Sequence, residues 1–272
     1  MSKTGSALAG REETSPTVRG RGLRRWLAEQ VKAFARERGA HLVGIAPVER
    51  FAGGPAGHRP ADLLPGARSV VVVALRLFQS VLDHPQICRQ SALIPPDVLP
   101  AVQQHYYRRT HYETVNWGLQ LIGHQVAYFL DAAGHEVMPT PVTYDAGDLS
   151  SRVPGYYAPF SHRHAAVAAG LGMFGRNNLI LTPQHGPRQR FNSVITTAEL
   201  EPDPMLEENP CRGADCDACR KAWPDCFGEL HAFSMVGKEF ELASFDGCSP
   251  SYPCGGGGCI RVCPIGAKKP AA

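Results

Sequence analysis

The sequence predicts an α+β fold in two parts, an α/β domain followed by a cysteine-rich domain. Three observations predict it. Apolar residues recur at helical spacing over about 23–38 and 102–133. An unbroken aliphatic run, Val70 to Val73, marks a strand buried on both faces. Eight of the nine cysteines fall between Cys211 and Cys263. The length of 272 residues suits two domains, and a hydrophobic share of 43% is enough for a real core. The expected boundaries are a disordered leader at 1–20, an α/β cofactor and substrate domain at 21–200, and a metal-binding domain at 201–272.

The elements follow in order. Residues 1–20 are rich in Ser, Thr, Gly and Arg and lack periodicity. A helix is predicted from about Leu23 to Arg38, with Leu23, Trp26, Leu27, Val31, Phe34 and Ala35 on one face and Gly39 ending it. His41 to Ala46 reads as a short buried strand and Ser69 to Leu77 as the clearest one. Between them lies a loop rich in glycine and proline, where His58 and Arg59 suit either an anion or a loop-stabilising role. Asp83 to Pro100 reads as a loop with Cys88, a small buried hydrophobe. Val115, Leu119, Ile122, Val126, Phe129 and Leu130 form the stripe of the long helix, and Gly134 stops it. Tyr106, Tyr107, Tyr112, His105 and His111 near its start read as an ordinary packing surface. Glu136 to Thr143 is a predicted strand, and Tyr144 to Phe160 an irregular loop. Ser161 caps a predicted helix from His162 to Ala169. Strands are predicted at Leu179 to Thr182 and Arg190 to Thr197, joined by a turn at His185-Gly186-Pro187. Glu199 to Pro210, with its acids and prolines, reads as a linker.

The cysteines carry the chemistry. The last group reads Cys254-Gly-Gly-Gly-Gly-Cys259-Ile-Arg-Val-Cys263-Pro264. Spaced cysteines ending in C-x3-C-P hold cubane iron–sulfur clusters, and the cysteine before proline ligates the other cluster of the pair. Cys211, Cys216, Cys219, Cys226, Cys248, Cys254, Cys259 and Cys263 supply the eight thiolates that two 4Fe–4S clusters require. The first group departs from the usual spacing. Trp223 stands where a fourth cysteine is expected, and Cys226, two residues past Pro224, reads as a displaced ligand. A structural zinc site is the alternative, and a disulfide scaffold fits poorly because no secretory signal is visible.

A net charge of +3 makes no electrostatic case for nucleic acid as the main partner. No apolar run approaches a membrane span, so no membrane partner is expected. Arg24-Arg25 is followed by Trp-Leu-Ala-Glu-Gln rather than the apolar stretch of an export signal. With eight candidate thiolates, the expected compartment is the cytoplasm.

Gly170-x-Gly172-x-x-Gly175 matches the letters of a dinucleotide fingerprint, but it follows a helix and precedes a strand, the reverse of what that fingerprint needs. The nicotinamide reading is rejected. The loop Gly170, Gly172, Gly175, Arg176, Asn177 and Asn178 can still set backbone amides and polar side chains against a large cofactor.

The stretch from Ser161 to Ile180, an alanine-rich helix followed by Gly-Leu-Gly-x-x-Gly-Arg-Asn and a strand, resembles the matching segment of the epoxyqueuosine reductase family. Gly57-His58-Arg59-Pro60 and the run Asp62 to Val70 resemble short members of the same family, and the cysteine-rich end resembles their double-cluster domain. The resemblance covers about residues 23–267. It implies a nitroreductase-like α/β domain that binds cobalamin, followed by a ferredoxin-like domain with two 4Fe–4S clusters. It also implies that the clusters pass electrons to cobalt, as in the related reductive dehalogenases, and that a nearby acid supplies a proton. Counting back from Gly170, Tyr156 falls near the family's catalytic aspartate, with Tyr157 beside it, and a tyrosine can donate a proton. Full-length members carry a helical-repeat extension after the clusters. This sequence ends at Ala272, so tRNA is not the expected substrate and a small molecule is. A ferredoxin or flavodoxin is the expected donor. The rival reading is a non-enzymatic electron carrier.

Overall fold

The computed structural model describes residues 16–83, 95, 97–142, 159–222 and 258–267. Cys88, Tyr156, Tyr157, Trp223, Cys226, Cys248 and Cys254, with the first fifteen residues of the expected leader, lie outside the described residues.

A mixed arrangement of helices and sheet forms. Strands β1 (Leu42–Pro47), β2 (Ser69–Arg76), β3 (Val137–Pro139) and β6 (Gln189–Thr196) make one sheet in the order β1-β2-β6-β3. Every pairing is antiparallel, with Ile45 opposite Val71 and Val71 opposite Val194. Helices cover both faces, so β2 is apolar from Val70 to Leu75 despite being antiparallel. Val71 and Val73 join one core with α1 (Pro16–Glu37) and the helix α4 (Thr114–Ala132), through Val31, Leu119, Val126 and Leu130. Val70, Val72 and Ala74 join the other core with α5 (His162–Ala168), through Ala165, Ala166 and Ala168. Small alanines let α5 approach closely. A Cβ at Gly44 of β1 would lie 2.6 Å from the Ala169 carbonyl oxygen.

Three elements differ from expectation. Helix α1 begins at Pro16, inside the stretch expected to be unstructured, and a proline is well suited to a helix start, where its missing N–H has no intrahelical partner to lose; Leu23 and Trp26, expected on the apolar face, are exposed. The strand expected over Glu136 to Thr143 is the short edge strand β3, which ends at Pro139, a residue with no N–H to extend the ladder. The long helix is interrupted. Helix α3 (Leu99–Tyr107) runs into a π turn at Arg108–Glu113 before α4 begins. Threonine hydroxyls donate to carbonyls around that turn, Thr110 to Tyr106 at 2.6 Å and Thr114 to Arg109 at 2.7 Å. Gly39 and Gly134, at φ of 101° and 86°, end α1 and α4 as expected.

The π turn carries His111 into the core. It is fully buried, its ring edge-on to Tyr107, and its Nε2 accepts the Phe78 N–H at 3.0 Å. Nδ1 therefore carries the proton and is buried with no hydrogen-bond partner. Burial pushes the His111 pKa down to about 4. The folded state thus resists protonation that the unfolded chain accepts. Above pH 6.5 both states are neutral; stability is lost as pH falls from 6.5 towards 4, by up to about 3 kcal/mol from this residue. Denaturant unfolding of wild type and His111→Gln across pH 7.5 to 4 checks this. The variant should lose less stability over that window, and parallel curves would contradict the assignment.

Candidate cluster site

The stretch from Glu199 to Pro210 is strapped along the first domain and delivers Cys211 to a fixed place. Asp203 donates its N–H to the Ile45 carbonyl at 2.9 Å, and its Oδ2 accepts the Ile45 N–H at 2.9 Å. The strap thereby occupies the free edge of β1. Asp203 Oδ1 accepts from Lys32 Nζ at 2.6 Å, which pairs a lysine that is only 9% exposed. Arg50 donates from one guanidinium nitrogen to both the Asp203 and Ala168 carbonyls. Further along, Asn209 Nδ2 donates to the Phe174 carbonyl at 3.0 Å, while its Oδ1 accepts the Cys211 N–H at 2.9 Å.

Beyond the strap, Cys211, Cys216, Cys219 and Cys263 line one pocket with Arg176, Asn177, Leu181 and the turn Pro264-Ile265. Helices α6 (Ala218–Ala222) and α7 (Gly258–Val262) pack against each other and bring the two cysteine groups together. Sequence spacing put Cys226 with the first three cysteines; Cys263 lines their pocket, and Cys226 lies outside the described residues. Burial pushes the Cys219 and Cys263 thiols up. The Cys211 charge raises both further, and Arg188 opposes the rise at Cys263. None of the five described cysteines is in a disulfide, and Cys259 packs against the first core instead of lining this pocket. Among the described residues, no three His, Cys, Asp or Glu side chains converge closely enough to hold a single metal ion. Four cysteines around one pocket are the donor set that a cubane cluster, with its ligands spread over four corners, would take.

Two arginines hold this pocket to the first domain. Arg176 Nη1 donates to Asp217 Oδ1 at 2.9 Å and to the Gly213 carbonyl at 3.2 Å, bracing the turn between Cys211 and Cys219. Arg188 is 4% exposed. Its guanidinium donates to the carbonyls of Ile265 at 2.7 Å, Arg261 at 3.1 Å and Cys263 at 2.7 Å, and to Gln79 Oε1 at 2.9 Å. Its neighbour Gly186, at φ 56°, lies against the Ile265 carbonyl, where a side chain would collide. Sequence reading passed over Arg188 and Asp203, since each works across long separations that no local motif encodes.

The glycine loop is brought beside this pocket, with its glycines used for packing. Met173–Phe174 and Ile180–Leu181 form a small hairpin, β4 and β5. A side chain at Gly170, where φ is 70°, would meet the Pro204 carbonyl of the strap, and one at Gly172 would lie 2.5 Å from the Leu181 carbonyl. Gly175 lies against the Leu181 side chain. Asn177 Oδ1 accepts the Leu179 N–H at 3.3 Å. Asn178 stands apart. It takes a left-handed conformation at φ 57°, is 2% exposed, and its side-chain nitrogen and oxygen have no hydrogen-bond partner among the described residues. Its carbonyl accepts from Arg163 at 2.9 Å.

The histidines at the start of α5 have structural partners. Ser161 caps the helix and bonds His164 Nδ1 at 2.6 Å, and His162 bridges Ser193 Oγ at 2.9 Å and the Pro141 carbonyl at 2.8 Å. Burial pushes the His162 pKa down to about 4. Arg59 grips Asp62 with a two-pronged bond at 2.9 and 3.1 Å and holds that carboxylate to about 2, so this pair stabilises its loop. Tyr106 is exposed, while the Tyr112 ring lies under Arg190, so the tyrosines near the π turn do not share one face.

No family model matches the chain. Epoxyqueuosine reductase of Bacillus subtilis is 26% identical over 172 residues, which is 61% of this chain and 36% of that protein. Tetrachloroethene reductive dehalogenase of Dehalobacter restrictus is 26% identical over 202 residues, 65% of this chain and 33% of that one. The chain is similar to these two kinds of reductase. It spans about a third of the length of these curated relatives. Among solved structures, an epoxyqueuosine reductase from Bacillus subtilis superposes with a TM-score of 0.44 at 17% identity, covering 73% of this chain and 52% of that one. A reductive dehalogenase whose structure was described for B12-dependent dehalogenation gives 0.45 at 16%, covering 79% and 26%.

The contact between Gly170 and the Pro204 carbonyl can be probed directly. Gly170→Ala combines a positive φ with a collision against backbone, and should cost about 2–4 kcal/mol in denaturant unfolding. A loss below about 0.5 kcal/mol would show that the strap does not sit on this loop.

Proposed function

We propose that the chain is an iron–sulfur oxidoreductase of the epoxyqueuosine reductase and dehalogenase type, with two 4Fe–4S clusters in a ferredoxin-like domain and a corrinoid in a nitroreductase-like one. The observation that carries the reading is the meeting of Cys211, Cys216 and Cys219 with Cys263 in one pocket braced against the α/β core. These four thiolates hold one cluster. Cys226, Cys248, Cys254 and Cys259 are the remaining set for a second, an assignment supported by the cysteine count and by the crossing of Cys263. Bound clusters supply one-electron transfer, and a corrinoid supplies the reductive chemistry.

The chain's own contribution is positioning. Arg176 and Arg188 brace the two cysteine turns, and Asn209 orients the N–H of Cys211. Leu181 and Ile265 close the apolar side of the pocket. For the corrinoid the glycines do not form an open cradle, since protein atoms fill the space beside each. Support comes from the similarity to the two reductases and from the Asn178 amide, whose hydrogen-bonding capacity is unmet among the described residues. Tyr156 or Tyr157 is the proposed proton donor, because counting back from Gly170 places them near the position of the family's catalytic aspartate. A small molecule is the proposed substrate, a ferredoxin or flavodoxin the proposed donor, and the cytoplasm the proposed compartment. No described helix is long and apolar enough to cross a membrane.

Anaerobic reconstitution should load about eight iron atoms per chain. Partial reduction with cobalamin present should then give EPR signals of reduced 4Fe–4S clusters beside a protein-altered cobalt(II) signal. Cluster signals with unaltered cobalamin would leave the electron carrier as the better reading. Zinc without iron would remove both.

A further inference from the structure

We propose that Arg188 sets the reduction potential of the cluster held by Cys211, Cys216, Cys219 and Cys263, acting as a fixed buried cation against the Cys263 turn. The inference rests on the cluster reading above and goes beyond it. Arginine keeps its charge at any working pH, so burying it to 4% exposure costs desolvation that a merely structural strut could avoid. Its described acceptors are neutral oxygens, three backbone carbonyls and the Gln79 amide. The nearest described carboxylate in this network, Asp83, stands behind Gln79, whose Nε2 donates to it at 3.0 Å. The positive charge is therefore aimed at the turn that carries Cys263, and among the described residues Asp83 opposes it only from behind Gln79.

A cluster that accepts one electron gains one negative charge. A buried cation beside it stabilises the reduced form and raises the potential, and low local polarity magnifies the effect. The geometry also fixes the direction of the dipoles. Because the guanidinium holds the carbonyls of Arg261, Cys263 and Ile265, their negative ends point towards Arg188. Arg188 is thus a positioning residue whose second effect is electrostatic. The substrate domain contributes it from the turn just before β6, so the same residue ties the cluster's potential to the docking of that domain.

The test is a redox titration followed by EPR on the full reconstituted chain. Wild type is compared with Arg188→Lys, Arg188→Gln and Gln79→Glu. Removing the charge should shift the reduction equilibrium about tenfold towards the oxidised cluster, about 59 mV more negative for one electron. Gln79→Glu, made together with Asp83→Asn so that no second carboxylate faces the new one, leaves the carbonyl contacts of Arg188 in place and brings a carboxylate into direct contact with it, so it should shift the same way. Arg188→Lys keeps the charge and should stay within about threefold of wild type. Full iron with unchanged potentials in Arg188→Gln and Gln79→Glu would overturn the proposal. If Arg188→Gln does not retain iron, Gln79→Glu decides. A wild-type chain that never forms a cluster overturns the underlying reading as well, whereas a cluster with unmoved potentials overturns the role of Arg188 alone.

Discussion

The grip of one buried arginine on three carbonyls organises the end of this molecule. Arg188 leaves the turn before β6 and closes on Arg261, Cys263 and Ile265, more than 70 residues away in the chain. Together with the packing of α6 on α7, that contact holds Cys263 near Cys211 and Cys219. A buried guanidinium needs its donors satisfied, and backbone carbonyls at a helix end are the acceptors left over when intrahelical bonding stops. The C-terminal end of α7 supplies them. The need of the cation and the need of the helix end are met by the same contact.

A second constraint works with it. The strap through Asp203 pairs with the open edge of β1 and presses Pro204 onto Gly170. Covering the edge protects it from pairing with another chain. It also fixes where the cysteine region begins, because only a few residues separate Asp203 from Asn209 and Cys211. The pocket is therefore held at both ends by the α/β core, by the strap entering it and by Arg188 at its far side. An electron-transfer site gains from such rigidity, since small changes in geometry around a cluster alter its potential.

Much of this was legible in the sequence, and the parts that were share one property. Val70 to Val73, the stripe from Val115 to Leu130, the Ser161 cap and the stops at Gly39 and Gly134 are local patterns, and the structure has each. Cys263 lines the pocket of Cys211, Cys216 and Cys219, while Cys226, the neighbour that spacing favoured, lies outside the described residues. The illegible parts depend on separation in the chain. Asp203 reads as one acid among several in a linker, and nothing near Arg188 distinguishes it from a surface arginine. The π turn at Arg108–Glu113 disturbs the helical period by one residue, which apolar spacing does not resolve. The glycines at 170, 172 and 175 read as a cofactor loop by their letters. Their surroundings give each a packing reason, and within this loop it is the Asn178 side chain that finds no hydrogen-bond partner among the described residues.

The central claim is that Cys263 completes the Cys211 set across the two groups. The direct measurement is EPR of the reduced, reconstituted chain in three single variants, Cys211→Ser, Cys263→Ser and Cys226→Ser. The account predicts that the first two lose or alter the same cluster signal and that Cys226→Ser changes the other one. If Cys226→Ser instead matches Cys211→Ser while Cys263→Ser alters the second signal, the pocket is not a cluster site and the crossing does not occur.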